Sequence, residues 1–333
     1  MTDSIDLRNI SNLQQIAETI QKWLQKNDDW KTRFEKYATT LKDKTTENHI
    51  KTIRKSFHKV KNLNLYTSIG DINSGKGINL RYKGQSVAYL KIKQNKLILY
   101  SNKKLDKTND TYFDWNKSLN CEWNSPEAAE FRKYFSQDIK KKNQVEHLFE
   151  SSLIEEFSKK ISKDKTLCNI QPVRLCDGQL AFQMPTVLSA SGKTVSRSRS
   201  ARAGGIDILA RVKQGGKNNL CVIELKKDFI KNAPQAHIIR GQGLAYAVFL
   251  RELLRSDSAK GEKWYEIFGY QSALPDSLTI NVCIAVPKGE YQITSEPQDI
   301  HLGQDVLRFK YITFSYDEAK NKITSISSDL FAG

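Results

Sequence analysis

The run GGIDILARVKQGGKNNLCVIELKK, residues 204 to 227, places an aspartate on one aliphatic stretch and a Glu-Leu-Lys on the next, with a glycine pair between them. Residues two apart on an extended strand share a face, so Glu224 and Lys226 point one way while Ile223 and Leu225 point the other. The Gly215-Gly216 turn folds the first stretch back alongside the second and brings Asp207 toward Glu224. Two clustered carboxylates repel, and each has its pKa raised unless positive charge lies between them. A hard divalent cation such as Mg²⁺, bound through oxygen, meets that need. The same spacing also describes an exposed hairpin whose outer face carries a Glu-Lys pair for solubility.

The elements around this hairpin decide what it can do. A helix is expected over about Asn143 to Ser162, and on it Glu146, Glu150, Leu153 and Phe157 fall on one stripe, so the two acids prolong an apolar face toward the sheet. Glu150 is the first choice for a further ligand and Glu146 the second. His147 lies about 100° round from Glu146 and reads as a surface histidine. Glu155 and Glu156 read as solvated or structural. A second helix, from about Pro234 to Arg255, aligns Gln235, Ile239, Gln242, Tyr246, Phe249 and Leu253 on one stripe. Between the helices, SGKTVSRSRSARAGG carries three arginines, one lysine and no acid. It reads as a mobile loop that clamps a phosphate backbone through Arg197, Arg199 and Arg202, or as a solvated linker.

Gly205-Ile206-Asp207 followed by Ile223-Glu224-Leu225-Lys226 resembles the PD-(D/E)xK nuclease superfamily, with its restriction-endonuclease-like fold. Gln242-Gly243-Leu244-Ala245-Tyr246 is similar to the Q-x-x-x-Y motif of RecB-type members. The resemblance covers residues 143 to about 290; each motif is short, and their order on strand, strand and helix carries the specificity. Ile206 stands where the family name has proline.

The resemblance implies a metal-dependent phosphodiesterase. Asp207, Glu224, the Leu225 carbonyl and Glu150 would hold Mg²⁺, with Mn²⁺ able to substitute, and the cation would polarise the scissile phosphate. Lys226 would orient water or neutralise the charge that develops on phosphorus. Gln242 would position water or a phosphate, and Tyr246 would stack on a base or donate to phosphate, unless it is a buried tyrosine with a satisfied hydroxyl.

The implied fold is α/β, a mixed sheet flanked by helices, over residues 141 to 333. Residues 1 to 140 are expected to form a separate helical and β module for target or partner recognition, with the lysine-rich stretch 136 to 144 as the boundary. Leu7, Ile10, Leu13, Ile16, Ile20 and Leu24 mark a first helix, Asn48 to Lys61 a second, residues 78 to 101 an antiparallel meander, and Ser125-Pro126 a helix start.

The chain has 333 residues and carries 53 Lys and Arg against 37 Asp and Glu, a net charge of +16 that suits a polyanionic partner. Five cysteines without a C-x-x-C pair argue against a disulfide framework or a thiolate zinc site and fit a reducing cytoplasm. Neither a signal peptide nor a membrane span is legible, and no P-loop, H-E-x-x-H or Ser-His-Asp signature competes. The leading expectation is therefore a Mg²⁺-dependent endonuclease acting on DNA, RNA not being excluded, in restriction or other defence against foreign DNA. Pairing as a homodimer would let it cut both strands. The alternatives are a nucleic-acid-binding protein with an idle nuclease centre, and a repair or recombination nuclease acting on branched or single-stranded DNA.

Overall fold

The computed structural model describes residues 4–26, 28–58, 60–73, 75–101, 115, 117–137, 139, 145–162, 165–175, 180–197, 204–289, 299–317 and 322–328. The chain begins β1 (Ser4–Asp6), α1 (Leu13–Lys26), α2 (Asp29–Leu41), α3 (Lys44–Ser56), β2 (Leu63–Ser68), α4 (Ile69–Asn73), β3 (Ile78–Tyr82), β4 (Gln85–Lys93), β5 (Lys96–Ser101), β6 (Leu119–Glu122) and α5 (Pro126–Ser136). It continues α6 (Val145–Ser158), β7 (Lys160–Ser162), β8 (Lys165–Thr166), β9 (Ile170–Pro172), β10 (Arg174–Leu175), β11 (Leu180–Gln183), β12 (Leu188–Ser191), β13 (Thr194–Arg197), β14 (Ile208–Gln214) and β15 (Lys217–Leu225). It closes with α7 (Ala233–Leu254), α8 (Gly261–Ile267), β16 (Thr279–Pro287), β17 (Asp299–Leu302), β18 (Asp305–Asp317) and β19 (Lys322–Ser328). The architecture is mixed α/β.

The sheet that carries the hairpin runs β17-β18-β16-β15-β14-β9, with β19 added on β18. β14 and β15 are antiparallel, whereas β15-β16 and β16-β18 are parallel. Side chains alternate between its faces. Leu220 and Val222 join Leu244, Val248 and Phe249 of α7, and Ile223 and Leu225 join Phe149, Leu153 and Phe157 of α6. α7 starts where Asn232 accepts a hydrogen bond from the Gln235 N–H at 3.0 Å, with Pro234 in the first turn. Burial on nearly every side of its C-terminal half explains the unbroken run GLAYAVFL.

The other large sheet runs β10-β11-β2-β3-β4-β5-β6. Its inner face, with Leu63, Leu80, Leu90 and Leu99, packs on Ile50 and Ile53 of α3 and on Phe131 and Phe135 of α5. Ser125 caps α5 as its sequence requires, accepting from the Ala128 N–H at 3.3 Å. α3 begins at Lys44 rather than near Asn48 because Asp43 accepts from the Thr46 N–H at 2.8 Å.

Strand pairing and ring contacts join residues before position 140 to residues after it. β1 pairs with β13, β11 pairs in parallel with β2, and Phe34 of α2 meets Phe249 of α7 and Trp264 of α8. The expectation of a loop from residue 191 is corrected for residues 191–197, which belong to a hairpin of β12 and β13. Leu188, Ala190 and Val195 alternate with polar neighbours, and Gly192 takes the positive φ of 56° that the Gly192-Lys193 turn requires. Among the described residues no helix is long and apolar enough to cross a membrane.

Candidate active site

β14 and β15 are joined by Gly215 and Gly216, whose φ values of 56° and 79° suit a two-residue hairpin turn. That turn fixes the register, with Ile208 opposite Ile223, so one step further Asp207 stands opposite Glu224. Asp207 Oδ2 accepts from the Leu225 N–H at 2.8 Å, which fastens the carboxylate to the end of β15. Glu224 is 3% exposed and lies on the α7 side of the sheet, where a Cβ added to Gly243 would come within 3.4 Å of its own Cβ. Its Oε1 accepts from Lys226 Nζ at 2.5 Å, while its Oε2 is buried without a hydrogen-bond partner.

Burial raises the pKa of Asp207 well above the carboxylate range, and the charges of Glu224 and Glu150 push it further. Glu224 is raised for the same first reason, with Lys226 opposing the shift and Glu146 adding to it. For Lys226 burial disfavours the charge, but Glu224 and Asp207 more than reverse that, so its pKa is raised and it stays an ammonium.

A cleft of about 520 Å³ opens over these groups, lined by Asp207, Glu224, Lys226, Gln242, Tyr246 and Lys193 among others. Gln242 donates from Nε2 to the Gly192 carbonyl at 2.7 Å, and its Oε1 is a second buried oxygen without a partner. Tyr246 is buried, and its hydroxyl accepts from the Ala190 N–H at 3.2 Å, a strut between α7 and the β12–β13 hairpin.

The two acids of α6 take different places. Glu146 Oε1 accepts from the Lys227 N–H at 3.3 Å, at the end of β15. Glu150 turns toward the other sheet: Oε1 accepts from the Tyr66 hydroxyl at 2.9 Å and meets Arg81 Nη1 at 3.5 Å, and Oε2 lies 3.1 Å from His147 Nδ1. Arg81 in turn stacks over the Tyr66 ring at 3.7 Å and donates to Gln183 Oε1 at 2.9 Å. Sequence reasoning had no signal for Tyr66 and Arg81, which lie 84 and 69 residues from Glu150. Arg197 is paired with Asp29 at 2.5 Å and its side chain is only 11% exposed. Arg199 and Arg202 lie outside the described residues.

Among the described residues no three His, Cys, Asp or Glu side chains converge as a ready cation cage. What the site offers is two facing carboxylates and two buried oxygens, Glu224 Oε2 and Gln242 Oε1, with no donor to satisfy them. That donor set is of the kind a hard divalent cation takes, and Asp207 and Glu224 would be the first oxygens to hold one.

The raised carboxylates make a stability prediction. A group bound more tightly to its proton in the folded state stabilises the fold at low pH, and that contribution is lost as pH rises from the ordinary aspartate value of 3.8 through the elevated one. Asp207→Asn keeps an acceptor for the Leu225 N–H and removes the titration. In EDTA its melting temperature should exceed that of the wild type at pH 8, with the gap closing toward pH 4. A variant no more stable than wild type at pH 8 would show that Asp207 carries no electrostatic strain.

Comparison with protein-family models, curated proteins and solved structures finds no match to this chain, so its site is read from its own residues.

Proposed function

We propose that the protein is a Mg²⁺-dependent phosphodiesterase that hydrolyses DNA, an endonuclease of restriction-endonuclease-like fold acting in restriction or other defence against foreign DNA. One observation carries the reading: Asp207 and Glu224 face each other across β14 and β15, burial raises both their pKa values, and the buried Glu224 Oε2 has no partner. The antiparallel β14–β15 pair, the parallel β16 beside it, and α6 and α7 on opposite faces of the sheet support the fold.

A divalent cation held by Asp207, Glu224 and the Leu225 carbonyl would supply the Lewis acidity that phosphodiester hydrolysis needs. The side chains around it have separable tasks. Lys226, kept protonated by its two acidic neighbours, is a fixed positive charge for the phosphate rather than a proton acceptor. Its ion pair with Glu224 Oε1 leaves Oε2 as the free oxygen of that carboxylate. Gln242 Oε1 is an acceptor that can orient an attacking water. Glu146 and Glu150 act through their fields, Glu146 on Glu224 and Lys226, and Glu150 on Asp207.

The binding-only alternative draws on the same ion pair, because Lys226 already neutralises one carboxylate without a metal. Incubating the protein with plasmid, linear, single-stranded and branched DNA separates the two. Cleavage in Mg²⁺ or Mn²⁺, and none in EDTA or Ca²⁺, is expected. DNA binding without product on any of these substrates would leave the binding-only reading.

A further inference from the structure

Three residues past Lys226 the chain exposes an aromatic ring that the chemistry above does not use. Phe229 is 42% exposed, one of three large hydrophobic side chains left in solvent among the described residues. It is nevertheless held in place. Ile230 is buried against Ile239, Ile284 and Tyr311, the Lys231 N–H donates to Gln235 Oε1 at 2.8 Å, and Asn232 caps α7. Gly289 packs so closely that a Cβ there would come within 2.6 Å of Phe229 Cβ and 2.7 Å of Cγ. The backbone is thus fixed on one side of the ring and a glycine supports another.

The surroundings of the ring are cationic. Lys231 Nζ lies 5.9 Å from its centroid, Lys227 and Lys288 are exposed nearby in sequence to Phe229 and Gly289, and Lys193 and Lys226 line the cleft. Asp228 is the only acid in the stretch 226–231. An exposed aromatic face with one ammonium beside it, and with the cleft-lining Lys226, Lys227 and Asp228 just before it in the chain, complements a nucleobase and its flanking phosphates, the ring stacking while the lysines take the backbone.

We propose that Phe229 is a base-stacking residue at the lip of the cleft, and that the substrate there is nucleic acid with unpaired bases beside the scissile phosphate. This rests on the phosphodiesterase reading and narrows its substrate. In an intact duplex both faces of each base are covered by neighbours, so only a single-stranded, terminal or extruded base offers a face to Phe229.

Fluorescence anisotropy in Ca²⁺ tests this on a labelled oligothymidine and on a labelled blunt duplex of equal length. Wild type should prefer the single strand. Phe229→Ala should weaken single-strand binding by about tenfold, the scale of one lost base–aromatic stack, and leave duplex binding nearly unchanged. Phe229→Leu, apolar but without a π face, should behave like the alanine variant. Phe229→Trp should retain affinity, and its extra indole emission should be quenched by oligothymidine. Undiminished single-strand affinity in Phe229→Ala, or equal losses on both ligands, would overturn the stacking role while leaving the nuclease reading intact. Failure of the wild type to bind either ligand would instead overturn the nuclease reading, and the stacking role with it.

Discussion

Glu224→Ala and Asp207→Ala should each reduce Mg²⁺-dependent DNA cleavage to below about a thousandth of wild type, with the protein still folded. Either change removes one of the two carboxylates that face each other across the hairpin, and the described residues offer no third acid converging on the same point to replace it. The fold should survive because each carboxylate is a burden to it: burial raises both pKa values, with the charge of Glu224 adding to the shift of Asp207 and that of Glu146 adding to the shift of Glu224. The two variants should differ in detail. Asp207→Ala strands the Leu225 N–H, a loss of about 1–3 kcal/mol set against the relief of repulsion. Glu224→Ala leaves the mostly buried Lys226 ammonium without its ion-pair partner, a cost set against the relief of no longer burying a carboxylate, so its melting temperature in EDTA should stay close to that of wild type. Mg²⁺ should raise the melting temperature of the wild type, and both variants should lose that rise, since a ligand that binds only the native state stabilises it. Full activity of either variant at matched Mg²⁺ would place the chemistry elsewhere.

The parts of this site that were legible in sequence are those set by local rules. Gly215-Gly216 dictates a two-residue turn, and the turn dictates that Asp207 meets Glu224. The two-residue period then puts Lys226 beside Glu224, where the 2.5 Å ion pair forms. The start of α7 was equally readable from Pro234. What local rules do not encode is the partner of a side chain across the fold. Glu150 and Glu146 share a stripe on α6, yet Glu150 is drawn to Tyr66 and Arg81 of a sheet built from residues far earlier, while Glu146 reaches the end of β15. The hairpin at 191–197 was hidden for the same reason: its polar serines and arginine read as loop, and the strand that pairs with β13 and completes its three-stranded sheet comes from Ser4–Asp6, far away in the sequence. α2 went unread because its apolar stripe of Trp30, Phe34, Tyr37 and Leu41 is interleaved with charge, and its meaning appears only where Phe34 meets Phe249 and Trp264.

Lys226→Ala should lower the cleavage rate by about a hundredfold, the scale of removing one electrostatic donor to the transition state. DNA affinity and its salt dependence should stay within about one phosphate contact of wild type. The ammonium is mostly buried against Glu224 and lies within the field of Asp207, so in the proposed reaction it would serve the reacting phosphate rather than the backbone at large. Lys226→Arg should rescue poorly, because a wide planar fork cannot present a compact charge at the same point. The pH profile separates this role from that of a general base. Lys226 lowers the pKa of Glu224 through its charge and its hydrogen bond, so its removal should leave Glu224 protonated to higher pH and move the acid limb of the rate profile upward. A neutral-amine base would behave differently, its loss deleting an ionisation instead of shifting one. If Lys226→Ala cuts DNA at the wild-type rate with an unmoved acid limb, the ion pair with Glu224 is structural and the charge that stabilises the phosphate must come from another residue.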